Sequence, residues 1–267
     1  MISLVQLLRE AQGNPKAIIL AGAPGAGKGY VLRGLDLGGL KTMNVDDIYV
    51  PLLKKANVSL DLKNATPEER SEQAKQMAAA NKQFKGELEQ VIAGKESFIL
   101  DGTAASYKKT AELKSELEEA GYDTFMLYVY TDLERSLSQN QDRYVKSGGK
   151  DRSLAPAIVM RTWKSVTDNL PKYEELFGNN FVAVANTLDD RMQDIDKIIQ
   201  KYLKPFTPQG TKPKTPAQQK KSDERKAKDK EEIQAMLDDD FIYDVIEYTM
   251  SKEEAQMRLK QFLSKWV

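Results

Sequence analysis

Residues 17–29 read AIILAGAPGAGKG, and their reading decides the fold. AIIL (17–20) is a continuous apolar run that ends just before a glycine-rich stretch. That pattern predicts a buried strand of a parallel sheet, where both faces are covered and no polar alternation is needed. GAPGAGKG (22–29) then matches G-x-x-x-x-G-K through Gly22, Gly27 and Lys28. Glycines in such a loop let backbone N–H groups turn inward around phosphate oxygens. A helix starting at Gly27–Lys28 adds the partial positive charge of its N-terminus. Lys28 is placed to reach the β- and γ-phosphates of a nucleoside triphosphate. Gly22, Ala23, Pro24, Gly25, Ala26, Gly27, Lys28 and Gly29 are therefore the expected nucleotide-binding element. The dinucleotide pattern G-x-G-x-x-G fails, because Tyr30 stands where its third glycine belongs. One position departs from the phosphate-loop pattern. A Ser or Thr after the lysine normally gives its hydroxyl to Mg²⁺, and this chain has Gly29.

Four more apolar runs read as strands: KTMNV (41–45), SFIL (97–100), DTFMLYVY (123–130) and FVAVA (181–185). Helical patterns lie between them. One runs from the phosphate loop to near Gly34. Another spans 66–93 and opens with TPEE, a helix-start signature. Others fall at 106–120, about 132–145 and 155–170, with a closing helix at 188–203. The N-terminal MISLVQLLREAQGN has apolar residues at helical spacing and reads as a packing helix. Alternating strands and helices predict an α/β fold, a parallel sheet of about five strands with helices on both faces. After Leu203 the composition changes. Residues 204–218 hold four prolines and read as a linker; 219–267 read as a helical tail, with a charged segment at 220–232 and short helical patterns at 233–237 and 241–248. The domain division is thus 1–203, 204–218 and 219–267. Leu259, Phe262, Leu263 and Trp266 form an apolar stripe that suits a partner or the chain's own core.

The chain has 267 residues with 40 Lys+Arg and 40 Asp+Glu, so no net charge draws it to nucleic acid or to an anionic membrane. It contains no Cys and no His, which excludes a Ser-His-Asp triad, a thiol nucleophile, disulfides and Cys/His zinc sites. A general base must then be Asp, Glu, Lys or Tyr, and a metal must be a hard, oxygen-bound cation such as Mg²⁺. No apolar run reaches the ~18 residues that span a bilayer, and the N-terminus has no leader pattern, so a cytoplasmic protein is expected.

Three further clusters carry chemistry. NVDD (44–47) puts Asp46 and Asp47 just after the second strand, where a carboxylate beside a phosphate loop can take a proton from a substrate hydroxyl or cap a helix. DGT (101–103) puts Asp101 where it suits a metal–water shell and Thr103 where it can hold substrate. Arg143 and Arg152 flank SGGK (147–150), which suits a lid; arginines there can stabilise a phosphoryl group in transit.

Taken in order, GAPGAGKG, NVDD, FILDGT, GYDTFMLYVY, DRY (142–144), RSLAP (152–156) and DNLPKYEELF (168–177) resemble the zeta-toxin family of P-loop kinases, and more distantly phage-type polynucleotide kinases. The resemblance covers about 16–190. It implies a P-loop NTPase-like three-layer fold and ATP- or GTP-dependent, Mg²⁺-assisted phosphorylation of a hydroxyl, with UDP-N-acetylhexosamine as the family's acceptor. It also implies Asp46 as base, with Asp47 the alternative register. Lys28, Arg143 and Arg152 become the phosphate-binding cations, and Asp101 and Thr103 substrate or metal residues. An antitoxin, or an assembly partner bound by the tail, is the implied protein partner. Two other readings are a kinase acting on polynucleotides or modified bases, and a nucleotide-binding assembly protein without turnover. Asp101 stands where zeta toxins carry Glu, and residues 48–96 match poorly.

Overall fold

The computed structural model describes residues 14–34, 40–62 and 65–186, and scattered residues between 216 and 257. The expected helices at the N-terminus, 188–203, 233–237 and 241–248, and the stripe at Leu259–Trp266, lie outside the described residues. The tail residues described at 220, 223–224, 227–228 and 231 are helical and exposed, in keeping with a solvated helix at 220–232; residues 216–217, at the end of the stretch read as a linker, are helical and exposed as well.

Five parallel strands form one sheet: β1 (Lys16–Ala21), β2 (Lys41–Met43), β3 (Phe98–Asp101), β4 (Asp123–Tyr130) and β5 (Phe181–Ala185), in the order β2-β3-β1-β4-β5. β1 is central because it can be buried throughout. All six of its residues are buried, and Ile18 pairs with Ile99 on one side and Phe125 on the other. Lys16, at its start, is 2% exposed and paired with Asp123. Phe125 to Tyr130 of β4 are all buried. Each large apolar side chain so covered contributes about 1.5–3 kcal/mol, which anchors the middle of the molecule.

The strand order reverses at β1: the chain leaves towards β2, returns through β3, and then crosses to β4. A crevice opens beyond the carboxyl ends of strands at such a point. The phosphate loop follows β1 and stands at that crevice.

Helices α1 (Lys28–Gly34), α2 (Asp46–Lys55), α3 (Pro67–Ala93), α4 (Tyr107–Glu119), α5 (Leu133–Lys146), α6 (Pro156–Asp168) and α7 (Leu170–Phe177), with a short 3-10 turn at Gly178–Asn180, complete the described elements. α3 begins as TPEE predicts. The Thr66 hydroxyl accepts from Glu69 N (3.2 Å), and the Glu69 carboxylate accepts from Thr66 N (2.8 Å), a capping box with Pro67 in the first turn.

Three expectations change. The second strand stops at Met43 rather than 45, so Asp46 and Asp47 open a helix instead of ending a strand. That helix, α2, pairs with α3 over a small core of its own, built from Tyr49, Leu53, Val58, Leu60 and Ala80. The predicted helix at 155–170 is α6, which ends at Asp168, and a further helix not expected from the sequence, α7, follows it. Pro171 lies in the first turn of α7, where its missing N–H costs nothing, but a single continuous helix would need that N–H.

Candidate active site

The phosphate loop is held in shape from outside. Gly27 has φ +81°, and a Cβ there would lie 2.3 Å from Asn186 Nδ2. Gly25 also has φ +81°, and its Cβ would lie 2.4 Å from the Ser136 carbonyl oxygen. Both positions therefore need glycine for conformation and for space. Gly22 N donates to Thr103 O (3.1 Å), Ser136 Oγ to Pro24 O (2.5 Å) and Asn186 Nδ2 to Ala26 O (2.7 Å). The loop is thus pinned to the ends of β3 and β5 and to α5.

Lys28 opens α1 and folds across the loop, its ammonium donating to Gly22 O (3.1 Å) and Ala23 O (3.4 Å). Burial pushes its pKa below the ordinary lysine value. Asp101 and Asp46 work against that shift, and Arg143 adds to it. An ammonium held at a desolvation cost, hydrogen-bonded to carbonyls and only partly offset by the charges of Asp101 and Asp46, is poised for a stronger anion. Gly29 is different from the other loop glycines. It is helical, and a Cβ there would meet only Arg33 Nη1 at 3.7 Å. Packing does not exclude a hydroxymethyl group at this position.

Asn44 sets the geometry between β2 and β3. Its side-chain oxygen accepts from Asp46 N (2.9 Å), and its amide nitrogen donates to Asp101 Oδ2 (2.9 Å). Neither Asp46 nor Asp47 caps α2 with its side chain; Asn44 satisfies the first free N–H instead. Asp46 faces the cleft. Asp47 is exposed, and its carboxyl pKa is raised by desolvation and by Asp46 and Asp101.

The opposite wall is the lid. Arg143, on α5, pairs with Asp151. Arg152 reaches across to Asp46 with Nε at 3.0 Å from Oδ1 and Nη2 at 2.8 Å from each carboxylate oxygen. Its guanidinium carbon also lies 5.7 Å from the centre of the Tyr49 ring. Asn140 holds the lid's base through both ends of its amide, donating to Leu154 O (2.9 Å) and accepting from Leu154 N (3.1 Å). Ser153 ties the other limb to Asp61 (2.9 Å) and to Leu60 O (3.1 Å).

These walls enclose a cleft of about 660 Å³. Pro24 to Gly29, Asp46, Asp101, Thr103, Arg143 and Arg152 all line it. Eleven expected site residues therefore converge from four separate stretches of chain. Gly22 and Ala23 support it through their carbonyls, and Asp47 stands outside it.

A family model described as "Zeta toxin" matches residues 4–199. The chain belongs to the zeta toxin family. Membership supports nucleotide-dependent phosphotransfer in general terms. No curated protein matches the chain. Among solved structures, AvrRxo1-ORF1:-ORF2 with ATP is 14% identical, with TM-score 0.51, covering 100% of this chain and 85% of that one. The same pair with sulphate ions is 14% identical, with TM-score 0.51, covering 93% and 84%. The PezAT toxin–antitoxin system of Streptococcus pneumoniae is 16% identical, with TM-score 0.48, covering 88% and 92%. At these identities the AvrRxo1 pair shows a shared fold.

Several residues that line or support the cleft escaped sequence reasoning. Asn44 sits inside the motif that drew attention to Asp46, but an amide between two acids carries no spacing signal. Asn140 and Asn186 act through contacts 14 and 160 residues away, which no local pattern reveals. Among the described residues, no group of three or more His, Cys, Asp or Glu is arranged to hold a metal. The donor set fits a magnesium ion that keeps most of its water, since such ions need one or two carboxylates plus nucleotide phosphates. Asp101, which lines the cleft, is the carboxylate the sequence offers for that role. No helix among the described residues is long and apolar enough to cross a membrane.

Proposed function

We propose that this zeta toxin chain transfers the γ-phosphoryl group of ATP or GTP to a hydroxyl of a small-molecule acceptor, with Asp46 as general base. The observation that carries this reading is the convergence of Lys28, Asp46, Arg143 and Arg152 on one cleft. The backbone of residues 22–29 and Lys28 bind the β- and γ-phosphates. Asp46 takes the proton of the acceptor hydroxyl, while Arg143 and Lys28 stabilise charge on the moving phosphoryl group. Mg²⁺, when bound, would supply charge neutralisation for the nucleotide, and Asp101 would be the protein carboxylate that holds it. Thr103 lies beside the acceptor.

The Asp46–Arg152 pair adds a condition. While both carboxylate oxygens accept from Arg152, the base is occupied. A triphosphate offers the guanidinium a second, more strongly charged acceptor. Arg152 then turns to the phosphoryl oxygens, and Asp46 is released towards the acceptor. On this reading nucleotide binds before the acceptor is activated.

A nucleotide sugar is the acceptor that family membership favours. Labelled ATP offered with UDP-N-acetylhexosamines and, separately, with 5′-hydroxyl oligonucleotides tests the reading. Label in the sugar nucleotide supports it. Label in the oligonucleotide alone moves the assignment to a polynucleotide kinase. ATP binding with no label in either, and no hydrolysis, leaves a binder without turnover. The domain division at about 203 and a cytoplasmic location are part of this proposal, as is an antitoxin or assembly partner for the tail.

A further inference from the structure

β5 is the last strand of the five-stranded sheet, so its outer edge should present unpaired backbone groups. It does not stand open. Met250, from the tail beyond the region matched by the family model, forms a parallel bridge with Val184, and its N–H donates to Ala183 O at 2.9 Å. The Met250 side chain is partly buried against the main core. The next residue, Ser251, accepts from Glu254 N (3.1 Å), the pattern that starts a helix.

β5 leads directly to the phosphate loop. Its next residue is Asn186, whose N donates to Tyr130 O (2.8 Å), whose O accepts from Thr131 Oγ1 (2.8 Å), and whose side chain donates to Ala26 O (2.7 Å). A change in the mobility of residues 183–186 thus reaches the nucleotide cradle through one side chain.

We propose that the outer edge of β5 is a docking site for this chain's own C-terminal segment at Met250, and that this contact braces the phosphate loop through Asn186. The tail is then an intramolecular part of the nucleotide site. Edge pairing supplies the attachment, since main-chain bonds to a strand edge need only an extended residue with a free N–H.

Met250→Pro in the full chain removes that donor, and Met250→Ala keeps it. Amide hydrogen exchange is read in peptides covering 181–186 and 22–29. Loss of one such bond speeds local opening roughly fivefold. The expected result is about fivefold faster exchange in both peptides for Met250→Pro than for Met250→Ala, which loses the same side-chain packing but keeps the N–H donor. Unchanged exchange at 181–186 overturns the docking. Faster exchange there with none at 22–29 overturns the brace. ATP titration of the same proteins separates this from the kinase reading. If the parent binds no ATP, that reading fails while the exchange data still decide the docking.

Discussion

At the scale of single residues, the cleft turns on three side chains and one missing hydroxyl. Gly29 is free to be replaced: Gly29→Ser has room, and removing a glycine from a helix contributes about 0.5–1 kcal/mol to stability. We expect a higher denaturation midpoint and a lower Mg²⁺ requirement for phosphoryl transfer, read by titrating the metal. A lower midpoint contradicts the packing described. Lys28 gives a pH signature. Its folded-state pKa is lowered, chiefly by burial, so the unfolded chain holds the extra proton and stability from this group rises as pH climbs towards 10.5. Lys28→Met removes that slope. Comparing urea midpoints of parent and variant at pH 8 and pH 10 should show the variant's advantage shrinking at the higher pH. An equal difference at both pH values counts against a desolvated ammonium. The sequence made Lys28 and Asp46 legible because their spacing from a strand is a motif. It left Asn44 unread, because its role lies in bonds to two acids that only the paired strands β2 and β3 bring within reach.

At the scale of elements, the five strands were legible from apolar runs, and α3 from its capping box. α2 was not. Its residues DDIYVPLLKK contain a proline and follow a strand signal, so local pattern alone gave no helix there. Packing of Tyr49 and Leu53 against α3 is what holds it. The lid is anchored by Asn140 at one limb and Ser153 at the other. Asn140→Ala leaves the Leu154 backbone N–H and carbonyl without their side-chain partners. We expect transfer to fall by about tenfold or more, with nucleotide affinity less affected, because misplacing a positioned group by about 1 Å costs up to 10²-fold. Steady-state kinetics would show it; a rise in KM for ATP alone argues that the lid serves binding only. At the opposite end of the sheet, Asp123→Ala removes the carboxylate paired with the buried Lys16 ammonium and should cost about 1.5–3 kcal/mol, read by chemical denaturation.

At the scale of the molecule, the strand order places one crevice beyond the carboxyl end of β1. Lys28, Asp46, Asp101 and Thr103 meet there because each ends or follows a strand or opens the helix after it, while Arg143 and Arg152 reach it from the end of α5 and the segment behind it. That much follows from alternating strands and helices. The depth of the cleft does not, since one of its sides is built from α2, α3 and the segment around Arg143 and Arg152, whose mutual packing rests on long-range contacts such as Ser153 with Asp61. If Asp46 is the base of phosphoryl transfer, the rate of γ-phosphoryl transfer in Asp46→Asn falls by about 10²–10⁴-fold with ATP binding retained, and Asp47→Asn changes it little. A rate in Asp46→Asn equal to that of the parent would contradict the assignment of Asp46 as base.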